Sequence, residues 1–142
     1  MPFSIDAEKF ELVMQETHDR IESAEIKIMR CHDNIMTGMG QNDDKIIFRN
    51  RLLIKWYENQ IKAVRVEKLL YQSLYINSNN SRLFPLLLSK YSTLMTDDLE
   101  FGSELVNCDA IDMNTYMEYC KENVEQYDYV KKICKFGEEK DN

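Results

Sequence analysis

Apolar side chains return every seven residues through the first part of this chain, and no other feature narrows the possible folds so far. Phe3, Phe10, Thr17, Ala24 and Cys31 form one column, and Ala7, Met14, Ile21, Ile28 and Ile35 form the other. A strand alternates its side chains every two residues, so this period fits a helix that packs along one seam. The first column is mostly small and the second mostly bulky, which lets a neighbouring helix come close on one side. The spacing predicts a helix from Ser4 to about Thr37. Asp6 and Glu8 fall in its first turn, where they complement the helix dipole, and Gly38 and Gly40 are expected to end it.

A second helix follows, capped by Asn42 or Asp43 and running to about Ile76. The loop before it is short, so the two helices are expected to form an antiparallel hairpin. Ile46, Leu53, Tyr57, Val64 and Tyr71 mark the centre of a wide apolar arc, which Trp56, Ile54, Ile61 and Leu74 broaden. An arc of that width touches more than one neighbour. Asn77 to Ser81 is a polar break. Beyond it Ser81 is a candidate cap, and Pro85 sits in a first turn where its missing N–H does no harm.

The segment from Leu83 to Met95 is apolar on nearly every face. It is either sandwiched inside the bundle or open as a docking surface, in which case Leu83, Phe84, Leu87, Tyr91 and Leu94 are the candidate partner-binding residues. Asp97 and Glu100 read as a capping pair ahead of a separate short helix through Leu105 and Val106. Asp112 or Asn114 is expected to cap a last helix that stops near Phe136 at Gly137. Met113, Met117, Cys120, Val124, Tyr127 and Cys134 are assigned to its apolar face. The expected fold is all-α: a long antiparallel helical hairpin, with two or three shorter helices completing an elongated bundle over residues 1–137. A charged, disordered tail is expected over residues 138–142.

A chain of 142 residues holds one core rather than two. Four glycines and two prolines are too few turn residues for a sandwich or barrel. The start of the chain has no basic and apolar leader, and no apolar run is long enough to span a bilayer. Cys31, Cys108, Cys120 and Cys134 show no CxxC spacing, so reduced, core-type thiols in an intracellular setting, cytoplasm or nucleus, are expected.

His18 and His32 belong to no Glu-x-x-His or His-Glu-x-x-His pattern. Cys31 and His32 are adjacent, which on a helix points them about 100° apart. No glycine-rich phosphate loop occurs, and the paired carboxylates lie at helix starts or in the tail. The sequence therefore points to no enzyme, no metal, no cofactor and no small-molecule substrate.

Charge is unevenly distributed around a net of −7. Residues 1–42 hold four basic and eight acidic side chains, residues 43–96 nine and four, and residues 97–142 five and thirteen. Arg51, Lys55, Lys62 and Arg65 fall within about 80° on one face of the second helix, with Glu58 among them. The reading favoured by the seam is a non-enzymatic helical interaction or assembly module, with a protein partner or self-association. The alternative is a nucleic-acid-binding helical protein that uses the Arg51–Arg65 stripe, which the acidic total opposes. An acidic, virus-encoded binder of a host protein is a third reading.

Overall fold

The structure is a computed structural model that describes residues 6–76 and 82–139. Four helices account for almost all of them: α1 (Ala7–Gly40), α2 (Asp44–Tyr75), α3 (Leu83–Asn107) and α4 (Met113–Glu139), with no strand among the described residues. The fold is an all-α bundle, as the periodicity predicts. No described helix is long and apolar enough to cross a membrane.

Local chemistry explains where the helices start. Asp6 is the N-cap of α1, its carboxylate accepting from the Lys9 N–H at 2.8 Å. The Ser4 start and Phe3 of the seam lie outside the described residues. Asp43 caps α2 through Lys45 N–H and Ile46 N–H, and Asn42 before it takes the left-handed conformation (φ 54°) that asparagine tolerates well. Asp112 caps α4, accepting from the Thr115 N–H at 2.7 Å. Asn77 to Ser81, including the Ser81 cap, also lie outside the described residues. Arg82 precedes α3 with no side-chain cap.

Three boundaries differ from the sequence expectation. First, α1 continues through both glycines and ends at Gly40. Gly38 is buried there, and a Cβ would sit 3.0 Å from Ile47 and 3.1 Å from Ile46, so this glycine serves close helix approach rather than termination. Second, α3 is one helix where two were expected. Asp97 and Asp98 lie mid-helix, and Asp98 points inward. Third, α4 runs past Gly137 to Glu139, so helix occupies the first residues of the expected tail, while residues 140–142 lie outside the described residues.

The seam does what its spacing implies. Thr17, Ala24, Cys31, Ile35 and Gly38 are the buried residues of α1, and they face α2. The antiparallel register is fixed by Phe10 stacked on Tyr75, Arg20 bonded to Glu67, and Asn34 bonded to Asn50. Helix α2 is the central element, with fourteen buried residues; it packs on α1 along one side and on α3 along another, while α4 packs mainly on α3. The main core joins Leu70, Tyr71 and Leu74 of α2, Phe84, Leu87, Tyr91 and Leu94 of α3, and Val130, Ile133 and Cys134 of α4. A second cluster centred on Leu52, Trp56 and Leu105 closes the other end.

Candidate functional site

Helices α1 and α4 flank a cleft of about 650 Å³ whose floor is built by α2 and α3. Two carboxylates are buried here: Asp98 of α3, 2% exposed, lines the cleft, and Glu67 of α2, 1% exposed, lines the adjoining pocket behind Arg20 and Gln126. Burying a carboxylate is costly unless donors replace its water, so the donor sets define what these groups do.

Arg20 of α1 reaches Glu67 with both terminal guanidinium nitrogens, at 3.0 and 3.1 Å to the two carboxylate oxygens. Tyr91 donates its hydroxyl to Glu67 Oε2 at 3.1 Å, and Gln126 of α4 donates its amide to Oε1. Every helix of the bundle thus meets at one carboxylate. Asp98 accepts from Asn59 Nδ2 on one oxygen, and from Asn123 Nδ2 and the Tyr119 hydroxyl on the other. Asn59 also donates to the Leu94 carbonyl oxygen at 2.8 Å, holding α3 against α2.

Burial pushes the Asp98 carboxyl above the usual carboxylate range, against the pull of its three donors. Burial, with the adjacent carboxylate charge, drives the Tyr91 and Tyr119 hydroxyls well above the ordinary phenol value. Both tyrosines are therefore held as hydroxyl donors. Each oxygen of both carboxylates accepts at least one hydrogen bond from a neighbouring helix. Among the described residues no group of three or more His, Cys, Asp or Glu is placed to hold a metal ion. These cages fasten helices together.

The residues singled out by sequence separate sharply. Phe84, Leu87, Tyr91 and Leu94 are buried in the main core and Leu83 is half-buried against it. Of the two alternatives for α3, sandwiched or open, this is the sandwiched one, and these five side chains do not form an exposed patch. The reason is that α2 and α4 cover this helix from two sides; Leu86, 69% exposed, is the leucine left outside. Arg51, Lys55, Lys62 and Arg65 are all exposed on α2, with no ion pair to any of them among the described residues. Cys31 is buried against α2, while His32 beside it in sequence is exposed. No disulfide joins the four cysteines; Cys31 and Cys134 are buried, and Cys108 and Cys120 are half-buried.

The assigned face of α4 is corrected in part: Cys134 is buried and Tyr127 and Cys120 are half-buried, as assigned. Met113, Met117 and Val124 are exposed, and the buried residues are Asn123, Val130, Ile133 and Cys134, with Tyr119 beside them on Trp56. The apolar column chosen from sequence lies to one side of the true interface, because polar Asn123 and Tyr119 mark the inward direction. The two carboxylate cages escaped the sequence reading altogether. Glu67 carried a usable signal, since it stands inside the apolar arc beside Val64, Val66 and Leu70. Asp98 carried none, standing between Asp97 and Glu100, which resemble a capping pair. Comparison with protein families, with curated proteins and with solved structures found no match for this chain.

Proposed function

We propose that this chain is a non-enzymatic helical protein–protein interaction or assembly module. The observation that carries the reading is a set of large apolar side chains stranded outside every core. Met29, Met36, Met39 and Phe48 stand 54–71% exposed on α1 and the start of α2, and Met113, Met117 and Val124 stand 55–62% exposed along one side of α4. Single exposed apolar residues are ordinary; two strips of them, rich in unbranched and adaptable methionine, suit surfaces that a partner covers. The four thiols suit an intracellular, reducing setting.

Photo-reactive methionine incorporated in place of methionine tests this directly. Irradiation is expected to produce reproducible cross-links from Met29, Met36, Met113 or Met117 to one defined protein surface, in this chain or another. Cross-links scattered over many unrelated proteins, or none, would remove the reading.

The unpaired stripe Arg51, Lys55, Lys62 and Arg65 favours nucleic acid as a second reading. Binding through it should be detectable near 50 mM salt and fall by orders of magnitude near 200 mM. With a net charge of −7, the expected result is no measurable binding of single- or double-stranded oligonucleotides. A salt-dependent complex that disappears in Arg51→Glu/Lys55→Glu would reverse that order.

A further inference from the structure

The outer surface of the α1–α2 hairpin carries exposed side chains of opposite charge that come level with one another at Glu22 and Glu25 of α1 and Lys62 and Arg65 of α2. On α1, Glu8, Glu11, Glu22 and Glu25 are exposed; Glu22 and Glu25 lie level with the basic residues of α2, while Glu8 and Glu11 lie beyond them, level with the end of α2. On α2, Arg51, Lys55, Lys62 and Arg65 line the outer side over about 21 Å at 1.5 Å per residue. The register set by Arg20 on Glu67 and by Lys27 over the Tyr57 ring puts Glu22 and Glu25 level with the turn that contains Lys62. Yet among the described residues no ion pair joins the two sets. The ion pairs among the described residues are His18–Glu22, on α1 alone, and Arg20–Glu67, on the cleft side. Toward the hairpin turn the acidic side chains give way to Met29, Met36 and Met39, with Phe48 at the matching end of the basic stripe.

Such a face is complementary to itself. A copy turned by 180° about an axis parallel to the helices lays α1 of one molecule over α2 of the other at the same level, with both turns at one end. Glu22 and Glu25 of each copy then meet Lys62 and Arg65 of the other, and the methionines of each meet the other's Phe48. Two helices about 10 Å apart and some 40 Å long offer roughly 800 Å² per copy, the size of an ordinary stable interface. We propose that this face binds a second copy of this chain, forming a symmetric dimer held by reciprocal charge pairing and an apolar patch at the turn end. The proposal rests on the interaction-module reading and names the partner of one of its two strips; the α4 strip remains a separate surface.

Charge exchange tests it, read by light scattering at low salt. Wild type is expected at twice the 16.9 kDa chain mass. Glu22→Lys/Glu25→Lys and, separately, Lys62→Glu/Arg65→Glu turn every reciprocal pair repulsive, so each is expected to be monomeric, its dimer weakened on the order of 100-fold. An equimolar mixture of the two variants should recover the dimer, and so should one chain carrying all four substitutions. These side chains are exposed, so circular dichroism should show wild-type helicity throughout.

A wild type that stays monomeric at about 100 µM overturns the proposal. So do single-stripe variants that dimerise undiminished, or a mixture that stays monomeric. Oligonucleotide binding lost in Lys62→Glu/Arg65→Glu and kept in Glu22→Lys/Glu25→Lys also overturns it, in favour of nucleic acid on the stripe. Cross-links from Met113 and Met117 do not involve this face, so they report on the interaction-module reading even where the dimer fails.

Discussion

Leu87→Glu is expected to abolish cooperative folding or lower the melting midpoint by more than about 20 °C. Leu87 is 6% exposed and packs in the main core with residues of α2, α3 and α4. The substitution loses its packing, about 2–5 kcal/mol for a buried leucine, and places a carboxylate among apolar side chains with no donor in reach, which costs several kcal/mol more. A domain of this size has about 5–15 kcal/mol in total. Leu86→Glu, one position away but 69% exposed, should melt within about 0.5 kcal/mol of wild type. Thermal melts by circular dichroism on this pair read the orientation of α3. Equal melts for the two variants would mean that the helix presents a different face to the core.

That contrast marks how far the sequence could be read. The seam on α1 was legible because one narrow interface repeats five times, and a heptad period survives small errors of phase. The α1–α2 hairpin followed from it through the shortness of the loop. Helix α3 gave the right burial options but no choice between them, since a helix apolar on nearly all sides looks the same whether one neighbour covers it or two. Its continuity was missed for an electrostatic reason: Asp97 and Asp98 resemble a helix start, and nothing local announces that Asp98 has Asn59, Tyr119 and Asn123 waiting for it from two other helices. On α4 the inward face is marked by polar residues that bond to that carboxylate, so hydrophobic periodicity pointed to the neighbouring column. Arg51, Lys55, Lys62 and Arg65 are exposed on α2, because a solvated face needs only helical geometry. Their relation to the acidic side chains of α1 required the hairpin register.

Glu67 offers the sharper test of what holds the bundle together. Its carboxylate side chain is 2% exposed, whereas the Arg20 side chain that pairs with it is 48% exposed. The two ends of the pair should therefore respond unequally to loss of the other. In Glu67→Met, Arg20 can swing into water, and the residual cost is the orphaned Tyr91 hydroxyl, about 1–3 kcal/mol, with a smaller part from Gln126. In Arg20→Met, Glu67 cannot leave, and a buried carboxylate keeps only neutral donors, so about 3–5 kcal/mol is expected.

Adding Tyr91→Phe to Glu67→Met removes the orphan and should recover most of the loss, a coupling visible as strong non-additivity in a double-mutant cycle. Glu67→Ala, which adds a cavity, should be the worst of the Glu67 series. Equal destabilisation by Arg20→Met and Glu67→Met, or additive behaviour of Glu67→Met with Tyr91→Phe, would show that this network contributes packing alone. The unequal outcome would mean that the contact fastening α1 to Glu67 of α2, where α4 also bonds, is electrostatic. Helix α1, which packs on α2 alone, would then be the element freed first when the contact is lost.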